Sequence, residues 1–165
     1  LILIEGIGSN TSRPDEAPKV LRQAVEDLKK AGAKRKPVYE QRQEAIVARS
    51  QSIGGISESA AAVLCSRGLE PVENGFTWRS DPRLKMSSAI RLTEEMVQAY
   101  LAALSMPVLL VRGEQSFFAT TQTLQQRAER IPACTRVNLP GNHHLHLEAE
   151  THAAVADAIN DFLNQ

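Results

Sequence analysis

The chain has 165 residues, of which 42% are hydrophobic and 23% are charged, and its 19 basic side chains balance 19 acidic ones. This length suits one domain or part of one, and the balance is ordinary for a globular protein. A formal net charge of zero argues against nucleic acid or an anionic membrane as the partner. No apolar run is long enough to cross a bilayer. Because Cys65 and Cys134 stand far apart, we expect reduced thiols in a cytoplasmic protein rather than a disulfide framework or a zinc ribbon.

The first predicted element is a strand at the very start of the chain. Residues 1–5 read LILIE, and unbroken Leu and Ile runs are typical of strands covered on both faces, as in parallel sheets. Since this strand begins at the first residue, without an initiator Met, we expect the sequence to belong to a longer polypeptide that continues upstream.

A long insertion of helices and loops separates this strand from the next apolar run. Apolar spacing and capping residues predict helices over 14–31 (with Gly32 following its end), 38–51 and 57–67, a loop over 68–91, and a helix capped by Thr93. An insertion at the C-terminal edge of a parallel sheet is well placed to cover a site. We therefore expect residues 9–104 to form a helical lid.

The remaining segment alternates strands with helices. Strands are predicted at 107–112 (PVLLVR) and 135–139 (TRVNL), and helices carry Leu124 with Ala128 and Val155 with Ile159. This alternation predicts an α/β fold with a parallel sheet, built from residues 1–8 and 105–165. Three strands do not make a well-covered sheet of this kind, which again indicates that a partner segment lies elsewhere.

All 4 histidines of the chain fall within residues 141–152, which read GNHHLHLEAETH. Imidazole titrates close to neutral pH, so a base, a metal cluster and solvated side chains are all possible interpretations. A zinc site needs three or four converging ligands. Because no histidine elsewhere completes such a set, we expect no metal, and no motif in the sequence implies a cofactor.

The segments PVLLVRGEQSFF and TRVNLPGNHHLHLE, together with the LILIEG opening and the helical insertion, resemble the C-terminal half of the α/β-hydrolase family. The similarity is greatest to serine hydrolase-like and haloalkane-dehalogenase-like members. It implies a nucleophile–His–acid triad that hydrolyses a carboxylic ester or a related small apolar substrate. The family's histidine stands just past the last strand, which makes His143 the candidate general base.

The resemblance leaves two candidates for the acid. Many family members carry an Asp three residues after the glycine that ends the second of these strands, and here that position is Ser116. Glu114 stands two residues earlier. Dehalogenase-like members place the acid after the preceding strand, where this chain has Glu5. Ending an apolar run with an unpaired buried carboxylate would be costly, so we favour Glu5 as the acid, with Glu114 as the alternative.

The family's nucleophile motif, G-x-S-x-G, is absent from the sequence. The nearest match, at 55–59 (GISES), lacks the second glycine. We therefore expect the nucleophile on the N-terminal half of the same protein, in the same or a companion chain, and no activity from these residues alone. An Asp nucleophile there would indicate a dehalogenase or an epoxide hydrolase. A non-catalytic ligand-binding protein on the same fold is the other alternative.

Several further side chains are candidates for the substrate pocket. Phe117 and Phe118 follow the second strand, and His144 is adjacent to the candidate base. Trp78, within WRSDPR, either lines the pocket from the lid or anchors the lid loop as a structural residue. For His146 we expect a packing role, and for His152 an exposed position at the start of the last helix.

Overall fold

The computed structural model describes residues 1–31, 35–52 and 54–165, so the predicted position of Gly32 lies outside the described residues. Within them the chain divides into two compact units. The first, the sheet unit, contains residues 1–11 and 92–165, and the second, the inserted unit, contains residues 12–91.

Both units contain helices and strands. The strands of the described residues are β1 (Ile2–Ile4), β2 (Val38–Tyr39), β3 (Leu69–Val72), β4 (Gly75–Trp78), β5 (Val108–Gly113) and β6 (Cys134–Leu139). The helices are α1 (Ala17–Ala31), α2 (Arg42–Ser50), α3 (Glu58–Gly68), α4 (Glu94–Ala102), α5 (Gln122–Arg130) and α6 (His152–Leu163), with short 3-10 helices at Pro14–Glu16 and Pro82–Lys85.

The sheet unit is built on the parallel pairing of β1 and β6 with the central strand β5. Leu3 lies opposite Leu110, and Val111 lies opposite Val137. Val108 to Val111 are all essentially buried, as expected for a central strand covered on both faces. The predicted α/β fold with a parallel sheet is confirmed.

Successive side chains of β5 face opposite sides of the sheet, which gives the unit two apolar cores. On one side Val108 and Leu110 pack with Val97 of α4 and Ala128 of α5. On the other side Leu109 and Val111 pack with Val155 of α6 and with Leu145, a fully buried residue of the loop after β6. These cores fix the ends of β1, β5 and β6, which carry the candidate site.

The compact units differ in their boundaries from the insertion predicted at 9–104. Residues 92–104 belong to the sheet unit because Val97 and Leu101 of α4 are buried in the core around Val108. The sequence shows the apolar face of this helix but not the surface against which it packs.

The inserted unit contains an antiparallel sheet in the order β2-β4-β3. The prediction of a helix over the whole of 38–51 is wrong at its start, because Val38 and Tyr39 pair with β4 and the helix begins at Arg42. The prediction of a loop over 68–91 is also wrong, because β3 and β4 form a hairpin. The buried core of the inserted unit contains Ala45, Cys65 and Leu69. The partly buried rings of Phe76 and Trp78 pack against this core.

Candidate active site

Glu5 occupies an unusual backbone position at the end of β1. Its φ angle is 65°, in the left-handed region that non-glycine residues seldom adopt. Its N–H donates to the carbonyl of Val111 at 2.9 Å, which extends the β1–β5 pairing by one residue. The side chain is buried, with a relative exposure of 2%. A strained backbone and a buried carboxylate at one residue are typical of a functional site.

The Glu5 carboxylate is held by donors from three directions. The N–H of Gly113 donates to Oε1 at 2.5 Å. The hydroxyl of Ser116 donates to Oε2. The Nδ1 atom of His143 lies 3.0 Å from the same Oε2. These contacts replace the water that the carboxylate loses on burial, which would otherwise cost several kcal/mol.

His143 lies in the loop between β6 and α6. Gly141, with φ of 123°, turns the chain out of β6. The Asn142 side chain then accepts a hydrogen bond from the N–H of His144 at 2.7 Å, and the buried Leu145 anchors the loop. The His143 side chain keeps 27% of its exposure. Because Nδ1 faces Glu5, the imidazole presents Nε2 as the nitrogen for exchanging a proton with another group.

Gly113 permits the close approach of the loops that follow β5 and β6. A Cβ atom at this position would lie 2.5 Å from the carbonyl oxygen of Gly141 and 2.6 Å from that of Asn142. The N–H of Gln115 donates to the Gly141 carbonyl at 3.0 Å, and the Gln115 side chain accepts from the Gly141 N–H. The glycine therefore brings the His143 loop against the turn that holds Glu5.

Aromatic rings surround the imidazole of His143. The ring centroids of Phe117 and Phe118 lie 4.8 and 5.0 Å from it, and the His144 ring lies 4.8 Å away. Phe117 is 58% exposed although it is apolar. The three predicted pocket residues of the sheet unit therefore lie next to the predicted base.

The remaining candidate residues of the sequence analysis do not contact the His143 ring through a described hydrogen bond or ring contact. The alternative acid, Glu114, is exposed, whereas the favoured acid, Glu5, is the carboxylate that His143 contacts. Trp78 lies on β4 and packs against the core of the inserted unit, and its place in a pocket stays a prediction. His146 is exposed rather than packed in the core, and His152 begins α6 at the surface as expected.

Sequence reasoning missed the contribution of Ser116 to the site. It treated this serine as a departure from the family's acid position, but the structure places its hydroxyl on the Glu5 carboxylate. The available signal was a small hydroxyl residue three positions after Gly113, in the turn that leaves β5 at the same sheet edge as Glu5.

The described residues contain neither a cluster of metal-binding side chains nor a membrane-spanning helix. No group of three or more His, Cys, Asp or Glu side chains within 1–31, 35–52 and 54–165 is placed to hold a metal ion. Across the same residues, no helix has both the length and the apolarity to cross a membrane.

Known proteins share both sequence and fold with this chain. A relative named probable serine hydrolase, from Drosophila melanogaster, is 35% identical over 104 residues, which cover 57% of this chain and 30% of the relative. A crystal structure of a hypothetical protein from Pseudomonas aeruginosa matches with a TM-score of 0.93 and 39% identity, over 99% of this chain and 58% of that one. No protein-family model matches the chain.

The fold is also that of a thioesterase domain from the curacin biosynthetic pathway, with a TM-score of 0.74 and 22% identity over 97% of this chain and 57% of that domain. The parallel sheet and these similarities define an α/β-hydrolase fold. The chain contains part of the α/β-hydrolase fold, and its sequence is similar to that of a serine hydrolase. It spans less than two thirds of the length of the relatives that it matches.

Proposed function

We propose that this chain is the part of an α/β-hydrolase that carries the base and the acid of a catalytic triad. His143 is the general base, Glu5 is the acid, and the nucleophile is a serine on a segment of the protein outside these residues. The substrate is a carboxylic ester or a related small apolar compound. The observation that carries the proposal is the 3.0 Å contact between His143 Nδ1 and the buried Glu5 Oε2.

The proposed role of Glu5 follows from the atom that it contacts. A carboxylate at Nδ1 keeps the proton on that nitrogen, so Nε2 has a free lone pair to accept the proton of the nucleophile. When Nε2 takes that proton, the imidazolium and the carboxylate form an ion pair. The serine oxygen attacks the ester carbonyl, and the leaving alcohol then takes the proton from Nε2. Water cleaves the acyl-serine by the same route and releases the acid.

Two observations support a nucleophile on another segment. The sequence lacks a G-x-S-x-G elbow. Among the described residues, the side chain that hydrogen-bonds to the His143 ring is the Glu5 carboxylate, at Nδ1. The name of the fly relative, serine hydrolase, supports serine over aspartate as the missing group.

The surroundings of His143 support an apolar substrate. Phe117 and Phe118 flank the imidazole, and Phe117 leaves much of its ring exposed where an acyl or alkyl group would pack. We further propose that the helical insertion, predicted at residues 9–104, functions as a lid and that the protein is cytoplasmic. A binding protein without catalysis would have little use for a carboxylate buried against a histidine, since burying that charge is costly.

The test is steady-state hydrolysis of 4-nitrophenyl esters of short acyl chains by the full-length protein. We expect His143→Ala to lower kcat/KM by at least about 10⁴-fold, and Glu5→Gln by a similar order. Glu114→Gln and His152→Ala are matched controls with exposed side chains, and both should keep the wild-type rate. Thermal unfolding of every variant separates loss of catalysis from loss of folding.

Other results would point to other functions. A folded His143→Ala protein with the wild-type rate would contradict the proposal. A large loss in Glu114→Gln but not in Glu5→Gln would move the acid to Glu114. A wild-type protein that binds these esters without turnover would support the non-catalytic alternative.

A further inference from the structure

We infer that Ser116 is a positioning residue for the acid, an inference that rests on the proposed function. Ser116 lies in the turn after β5 and is buried, with a relative exposure of 7%. Its hydroxyl donates to Oε2 of Glu5, the same oxygen that His143 contacts. The side-chain contacts of its hydroxyl are with the Glu5 carboxylate and the Phe118 N–H, so it acts through Glu5.

The direction of the Ser116 hydroxyl is fixed by its second hydrogen bond. The N–H of Phe118 donates to Ser116 Oγ at 3.1 Å. A hydroxyl has one proton to donate, and an ionised carboxylate can only accept hydrogen bonds. The Ser116 proton therefore points at Glu5, and the bonds run in one direction from the Phe118 N–H through the hydroxyl to the carboxylate.

The turn that carries Ser116 is held in place by its own backbone. The Ser116 N–H donates to the Gly113 carbonyl at 3.1 Å, and the Ala119 N–H donates to the Ser116 carbonyl at 3.0 Å. The Arg112 guanidinium donates to the carbonyl of Phe118 at 2.8 Å. A rigid turn of this kind gives the hydroxyl a fixed position from which to orient another side chain.

Ser116 and Gly113 together determine the plane of the Glu5 carboxylate. The Gly113 N–H holds Oε1, and the Ser116 hydroxyl holds Oε2. Without the hydroxyl, His143 alone would hold Oε2, and the outer bonds of the glutamate side chain would be freer to rotate. The turn also carries Phe117 and Phe118, whose rings lie against His143. Ser116 thus links the orientation of the acid to the segment that borders the base.

The test compares Ser116→Ala with Ser116→Thr, which restores a hydroxyl, in the full-length protein. Ser66→Ala is the matched control, because Ser66 is an exposed serine whose hydroxyl donates to a carbonyl within α3. Two quantities are measured. The first is kcat and KM for the 4-nitrophenyl ester. The second is the downfield proton resonance of His143 Nδ1–H, assigned by its loss in His143→Ala.

We expect Ser116→Ala to lower kcat by about tenfold to a hundredfold, with little change in KM, because a hydrogen bond to a charged group is lost away from the substrate. Ser116→Thr should recover most of this loss. The Nδ1–H resonance should move or broaden in Ser116→Ala and stay in place in Ser66→Ala.

Each contrary result has a separate meaning. If Ser116→Ala keeps the wild-type kcat and resonance while His143→Ala and Glu5→Gln are inactive, the proposed function stands and the role of Ser116 is disproved. A loss of kcat that threonine does not restore, with an unchanged resonance, would show a structural role only and would also overturn the inference. A fully active His143→Ala protein would instead overturn the proposed function.

Discussion

At the scale of the residue, Glu5 combines two features that each cost free energy. A left-handed backbone is unfavourable for a residue with a Cβ atom, by roughly 1–3 kcal/mol. A buried carboxylate is unfavourable unless it is well paired. The Gly113, Ser116 and His143 contacts compensate the charge, and the pairing of Glu5 with Val111 holds the backbone. The surrounding loops therefore stabilise a residue that would be unfavourable on its own.

Gly113 provides a test of how tightly these loops pack. We expect Gly113→Ala to lower the free energy of unfolding by about 1–3 kcal/mol, because the new methyl group would overlap the Gly141 and Asn142 carbonyls. The measurement is thermal or urea unfolding. Gly6→Ala is the matched control, since its Cβ would find no atom nearer than 4.0 Å. Equal stability of the two variants would contradict the packing that we describe.

Some residues of the site were predictable and others were not. The position of His143 after the last strand and of Glu5 after the first apolar run follows from local sequence and the family resemblance. Their 3.0 Å contact depends on β1 and β6 lying on either side of β5, which no local pattern states. The role of Ser116 was not predictable, because it depends on the direction of one hydroxyl in a turn.

At the scale of the element, α4 and α5 are joined by a partly buried ion pair. The Arg127 guanidinium, with 6% side-chain exposure, donates to the Glu94 carboxylate at 2.6 and 2.9 Å. It also donates to the Ile7 carbonyl at 2.8 Å, and Thr11 donates to Glu94. These contacts join both helices to residues 7–11, the segment that follows Glu5, so the helices help to hold Glu5 in place.

Because of the Arg127 hydrogen bonds, the pKa of Glu94 is lower in the folded protein than its ordinary value. A carboxyl with a depressed folded-state pKa stabilises the protein above its unfolded pKa, about 4.3. This contribution is lost as the pH falls through the folded-state value. We expect Glu94→Gln to be less stable at neutral pH by roughly 1.5–3 kcal/mol, with a smaller further loss below about pH 4.

The measurement is urea unfolding across this pH range. Glu129→Gln, an exposed glutamate of α5, is the matched control and should follow the wild type. If Glu94→Gln loses stability on acidification as steeply as the wild type, the ion pair does not make the contribution that we assign to it.

Sequence patterns predicted the elements of the sheet unit more accurately than those of the inserted unit. β5 and α4 were evident from an unbroken apolar run and from a Thr93 cap whose side chain accepts from the Met96 N–H. β2 has only two residues, too few for a sequence pattern, and it is defined by its pairing with β4. Pro71 and the Asn74-Gly75 turn favour a loop in the sequence pattern, although short strands on either side of that turn form the β3–β4 hairpin.

At the scale of the whole molecule, the chain carries the proposed base and the proposed acid, and its sequence lacks the G-x-S-x-G motif. The α/β fold was predictable from alternating strands and helices. The boundaries at residues 12 and 91 were not, because they depend on which core α4 joins. The central claim is that His143 activates a serine on another segment of the protein.

That claim is tested most directly by labelling the full-length protein with a fluorophosphonate probe and locating the adduct by peptide mass spectrometry. Such probes react with serines that a neighbouring base has activated. We predict one adduct, on a serine outside these 165 residues, and no adduct in His143→Ala. An adduct on a serine within this chain, or labelling of His143→Ala at the wild-type rate, would contradict the account.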